Sequence, residues 1–96
     1  MEIALVIGSV VATTKTPGLT GRPLKLVQPT DGSGEPSGES VYVALDLVGA
    51  GAGEVVLVAR YGAARIAAAS DIEADAAVVA IVDAVDVAGD AIYRKA

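Results

Sequence analysis

Three groups of residues have the types and spacing that chemistry would need. The first is Gly49, Ala50, Gly51, Ala52, Gly53, a glycine-spaced run that could cradle a phosphate. A dinucleotide-binding turn requires G-x-G-x-x-G opening a helix inside a strand–helix–strand unit. Here the spacing is G-x-G-x-G, and the residues that follow, EVVLV, have the β-branched character of a strand. Gly49, Gly51 and Gly53 are therefore read as places where backbones approach closely or φ turns positive. The second group is acidic. Asp71, Glu73 and Asp75 alternate as calcium ligands do, but no glycine stands at the sixth position of such a loop, so solvated charge is expected. Asp83 and Asp86 are three apart on one predicted strand, point to opposite faces, and cannot act as a paired acid and base. The third group is hydroxyls: Ser9, Thr13, Thr14 and Ser70 have no histidine to activate them, and Lys15, Lys25 and Lys95 stand at no motif spacing with a serine.

Composition points the same way. The 96 residues include 12 acidic and 7 basic side chains, no His and no Cys, for a net charge of −5. Thiol nucleophiles, Ser–His dyads, structural zinc sites and disulfides are excluded. Phosphate binding runs on clustered Lys and Arg, and stacking on bases needs aromatic platforms. Only Tyr42, Tyr61 and Tyr93 are aromatic, in an acidic chain, so no nucleic-acid partner is expected. The expectation is of no catalytic set, no metal site and no cofactor.

The elements that must position these residues are short and apolar. Residues 3–14 (IALVIGSVVATT) read as a strand with two apolar faces, bent or bulged at Gly8. A loop over 15–21 follows, then a strand over 24–28 entered from Pro23. Residues 29–40 (PTDGSGEPSGES) read as an exposed loop. A third strand over 41–48 alternates Val43, Leu45 and Leu47 with Tyr42, Ala44 and Asp46. After the glycine connector come a strand over 54–60, a short alanine-rich helix over 62–70, a polar passage over 71–75 and a fifth strand over 77–87. The remaining nine residues form a tail with an apolar patch at Ile92 and Tyr93. The elements predict a mainly β fold: a small OB-like five-stranded barrel with one short helix. It forms a single domain over 1–87 with a tail over 88–96.

One feature of the composition demands a partner. Hydrophobic residues make up 53% of a chain whose small size leaves much of its surface exposed. The longest stretch without charge or proline, residues 3–14, falls short of the about 20 apolar residues of a spanning helix. Glu2 stands where the basic region of a signal peptide would be. The chain is expected to be a soluble, cytoplasmic subunit that buries apolar faces against copies of itself.

Four segments carry a resemblance to a known family. They are the first strand ending VVATTK, the segment LTGRPLKLVQP over 19–29, the segment DLVGAGAGEVVLV over 46–58 running on to GAAR over 62–65, and DAAVVAIVD over 75–83. Together they resemble the vertex proteins of bacterial microcompartments, the pentamer-forming shell family of carboxysomes and of ethanolamine- and propanediol-type compartments. Ala80 and Pro23 depart from the family pattern, which commonly has glycine and lysine there. The resemblance implies an OB-like barrel assembled as a cyclic pentamer that caps shell vertices. Its implied partners are other copies of the chain and hexameric shell proteins, with no enzymatic role, no membrane and no cofactor. It makes Gly49, Gly51 and Gly53 candidate subunit-packing or pore-loop residues, and Arg22, Arg60 and Arg65 candidate rim or inter-subunit contacts. A rival of another class is a small oligomeric ligand-binding or regulatory β-barrel.

Overall fold

The computed structural model describes residues 1–68 and 74–96. Strands β1 (Glu2–Val10), β2 (Leu24–Pro29), β3 (Tyr42–Asp46), β4 (Val55–Arg60) and β5 (Ala76–Ile81) close into a barrel in the order β1-β2-β3-β5-β4. All pairs are antiparallel except β3 and β5, where Leu45 and Asp46 face Ala77 and Val78 in parallel. One short helix, α1 (Gly62–Ala67), joins β4 to β5 and packs on both. This is the five-stranded OB-like barrel expected from the sequence.

The inward side chains are small. Ala4, Val6, Val27, Ala44, Val56, Val58, Ala76 and Val78 form one buried cluster. A five-stranded barrel is narrow, because diameter grows with strand number, and Ala and Val fill it where Phe or Trp would force the strands apart. A second cluster lies outside the barrel wall, where Ala64 and Ala68 of the helix segment cover Leu45 and Ala77. The alternation read for β3 holds: Tyr42 and Ala44 join the inner cluster, and Leu45 and Leu47 the outer one. The bulge expected at Gly8 is present as a register shift between Val6 and Gly8.

Several boundaries differ from the sequence expectation, each for a pairing reason. The first strand ends at Val10, not residue 14, because its partner β2 begins at Leu24 opposite Val10 and Pro23 has no N–H to extend the ladder. The strand expected over 77–87 divides. β5 ends at Ile81, after which the Val82 N–H donates to Val55 O at 2.8 Å, the first residue of β4. Beyond that rung β5 has no partner. The chain turns away through Asp83 into a separate hairpin, β6 (Ala84–Val87) with β7 (Asp90–Arg94). Asp83 and Asp86 therefore do not share a strand, and the segment read as a tail supplies β7. The limit drawn between residues 87 and 88 falls at this hairpin's turn.

The hairpin is docked. A Cβ on Gly32 would stand 2.9 Å from Ile92 Cδ1, and one on Gly34 would stand 3.2 Å from the Tyr93 ring. β7 thus packs on Gly32 and Gly34, while residues 35–40 of the loop are exposed, as expected. The loop is also internally organised: Thr30 bridges Pro36, and Asp31 Oδ1 accepts from the Ser33 and Glu35 amides at 2.8 and 3.2 Å.

Candidate functional site

The glycine connector leaves β3 through a buried carboxylate. Asp46 is 6% exposed, and its Oδ1 accepts the amides of Val48 at 3.0 Å and Gly49 at 2.9 Å. A short acidic side chain bonding the backbone two and three residues on is the usual way such a turn is held. Lys25 Nζ lies 4.0 Å from the other oxygen. Gly49 has φ +77 and Gly53 φ +90, so both occupy the left-handed region; Gly51 does not. Between them Ala50 is 2% exposed and packs among the barrel's inner residues, plugging one mouth. The far end of the connector is tied to β1, with Gly53 N–H donating to Val6 O at 2.8 Å and Val6 N–H to Glu54 O at 3.0 Å.

Glu54 completes the turn. Its Oε1 accepts the Gly51 amide at 2.6 Å, and its Oε2 pairs with Lys95 Nζ at 2.7 Å. The hydrogen bond from Lys95, then that from Gly51, holds the Glu54 carboxyl below its ordinary value. Two of the amides that a bound phosphate would need are thus bonded to the chain's own carboxylates, Asp46 and Glu54. The connector is a structural turn that brings the residue at position 95 onto the barrel.

The opposite mouth is closed by charge. Glu2 stands opposite Val58 across β1 and β4, so Arg60, two residues on, is its diagonal neighbour on the inward face. Arg60 Nη1 donates to Glu2 Oε1 at 3.2 Å, and the Tyr42 hydroxyl donates to the same oxygen. The guanidinium lies 4.0 Å from the Tyr42 ring centre and 5.0 Å from that of Tyr61. Arg stacks well on aromatic faces because its planar cation is weakly hydrated. Burial, then the hydrogen bond and charge of Glu2, push the Tyr42 phenol well above its ordinary value. Tyr61 has φ +55 although it is not glycine, and the residue is 67% exposed.

Arg22 occupies a third place. It lines an open cleft of about 340 Å³ with Val10, Val11, Ala12, Lys15, Gly21, Pro23 and Leu24. Its guanidinium is exposed and forms no ion pair or hydrogen bond with any described residue. The Arg65 side chain, and Ser70, Asp71 and Glu73, lie outside the described residues. Among the described residues no group of three or more carboxylates comes together as a metal site, and no helix is long and apolar enough to cross a membrane.

The three sequence candidates within the described side chains are therefore separated: the glycines at one mouth, Arg60 at the other, Arg22 at the outer end of β1 and β2. Glu2, Asp46, Glu54 and Lys95 were not singled out in the sequence. Asp46, three residues before a glycine, carried a local turn signal. Glu2 and Lys95 act across the fold and carried none.

Comparison with known proteins decides the family. Residues 1–83 match the family described as Ethanolamine utilisation protein EutN/carboxysome. The chain belongs to this EutN/carboxysome family. The carboxysome shell vertex protein CcmL of Synechocystis sp. is 51% identical over 96 residues, covering 99% of this chain and 95% of that protein. A solved structure of the ethanolamine utilization protein EutN superposes with a TM-score of 0.92 at 37% identity, covering all of both chains. The GrpN pentameric microcompartment shell protein of Rhodospirillum rubrum gives a TM-score of 0.80 at 41% identity, covering 91% of this chain and 99% of that one. The resemblance read in four segments of the sequence is thereby confirmed. The EutN/carboxysome barrel also accounts for part of the composition: Ala and Val are what its narrow interior holds.

Proposed function

We propose that the chain is a structural shell protein that assembles as a homopentamer and caps the vertices of a bacterial microcompartment in the cytoplasm. The observation that supports this most strongly is likeness over the whole chain to carboxysome and microcompartment shell vertex proteins. A layer of hexagonal units is flat. Closing it into a polyhedron requires five-fold units at the corners, and a ring that meets hexamer edges supplies them. Contacts that are individually modest suffice because they repeat around the ring. The chain is read as non-enzymatic, with hexameric shell proteins as its partners and no nucleic acid or membrane.

In this reading Gly49, Gly51 and Gly53 shape a packing or pore loop at one barrel mouth, and Arg22, Arg60 and Arg65 serve the rim or subunit contacts. Arg60 would act through Tyr61, the exposed ring against which it stacks. The test is expression of the shell proteins native to the same compartment with and without this chain. Its removal is expected to leave open or elongated shells with gaps at the corners. Closed, normally shaped shells without it, and without a second vertex protein, would refute the role. Native mass spectrometry should show five subunits at micromolar concentration; a stable monomer or dimer would refute the pentamer.

A further inference from the structure

Residues 3–30 contain no acidic side chain and three basic ones, Lys15, Arg22 and Lys25, in a chain whose net charge is −5. Two of these line the cleft at the outer end of β1 and β2, where Val10 pairs with Leu24. Lys15 is anchored there, donating to Ala12 O at 2.6 Å, while Arg22 has no acidic partner among the described residues. The apolar wall beside Arg22 includes Val11, 87% exposed.

The complementary surface lies on the β6–β7 hairpin. Val87 and Asp90 are cross-strand partners and project from one face. Val87 is 54% exposed, and Asp90 carries no ion pair among the described residues. Asp86, beside Val87 on β6 but on the other face, meets Arg94 at 4.0 Å. The hairpin tip thus offers a branched apolar side chain beside a carboxylate, and the cleft a valine-lined wall beside a guanidinium.

These two surfaces cannot meet within one chain. β7 is seated on Gly32 and Gly34, just beyond the Ala4–Pro29 end of β1 and β2, whereas the cleft lies at the Val10–Leu24 end. Six residues of strand, about 20 Å, separate the ends, in a molecule 45 Å long. A second copy can bring them together. We infer that the Val87–Asp90 tip of one subunit seats in the Arg22 cleft of the next, as a heterologous contact that generates a ring when its rotation closes. The inference rests on the ring proposed above and names the surfaces that build it.

The test is a charge-reversal cycle on the full chain: parent, Arg22→Glu, Asp90→Arg, and the two together, with subunit number read by native mass spectrometry across a dilution series. Both substituted sites are exposed, and thermal melts confirm folding. Each single variant is expected to raise the concentration at which the ring half-dissociates on the order of tenfold, and the double variant to restore it to within about threefold of the parent. Parent rings that neither reversal weakens, or a double variant no better than the worse single, overturn the contact and leave the vertex reading standing. Rescue in an assembly of another subunit number keeps the contact and overturns the pentamer. A parent that stays monomeric throughout overturns both.

Discussion

The three glycines of the connector should respond to alanine with different signs. Gly53 sits at φ +90 and Gly49 at φ +77, and a Cβ at either would meet nothing within 4 Å. The cost of substitution there is therefore backbone strain alone, about 1–2 kcal/mol for an L-residue in the left-handed region. Restricting the unfolded chain returns about 0.4–1 kcal/mol. The net expectation is a loss of about 1 kcal/mol for Gly53→Ala, and a similar loss for Gly49→Ala. Gly51 lies outside the left-handed region, and its added Cβ would meet only Glu54 Oε1, at 3.4 Å, an ordinary contact. Gly51→Ala should be neutral or stabilise by a few tenths of a kcal/mol, about the unfolded-state gain less a small adjustment of Glu54. Urea unfolding at one fixed protomer concentration measures this, since assembly shifts apparent stability. If Gly51→Ala lost as much stability as Gly53→Ala, the assignment of left-handed strain to the outer glycines alone would be wrong. A Gly51→Ala variant that folds normally yet fails to form rings would place that residue at a subunit contact.

Asp46→Ala removes a buried acceptor from two amides and should cost about 2 kcal/mol, whereas Asp46→Asn, which keeps an acceptor oxygen, should cost about 1; equal losses on urea unfolding would argue against the amide contacts. The Glu54 carboxyl, held below its ordinary value by Lys95 and Gly51, stabilises the fold above its unfolded value, and that contribution disappears as pH falls through the lower folded value. Hydrogen-exchange protection of the Gly51 amide should accordingly fall as pH drops below 4.5, and Glu54→Gln should abolish that dependence. At the hairpin turn Ala88 has φ +51 and Gly89 φ +87, the signs of a type I′ turn that favours Asn-Gly. Ala88→Asn should stabilise the hairpin by about 0.5–1 kcal/mol, read as slower exchange at Val85 and Tyr93; faster exchange would contradict the turn assignment.

What the sequence by itself determined was whatever depends on near neighbours. Period-two alternation put Tyr42 and Ala44 on one face of β3 and Leu45 on the other, because successive side chains on a strand face opposite ways; that the first face is the barrel interior was decided by closure. The Ala- and Val-rich strands, the bulge at Gly8 and the glycine turn were legible for the same local reason. The end of β5 was not. Residues 77–87 are uniformly strand-like, and the break after Ile81 exists only because β4 begins at Val55 and offers no further rung. The hairpin that follows lacks an Asn-Gly signature and gains its support from Gly32 and Gly34, more than fifty residues earlier. The long-range charged pairs were likewise invisible: Glu2 meets Arg60 across 58 positions, and Glu54 meets Lys95. The first pair is decided by strand register, which is fixed only when the barrel closes, and the second by the path of the chain beyond β7.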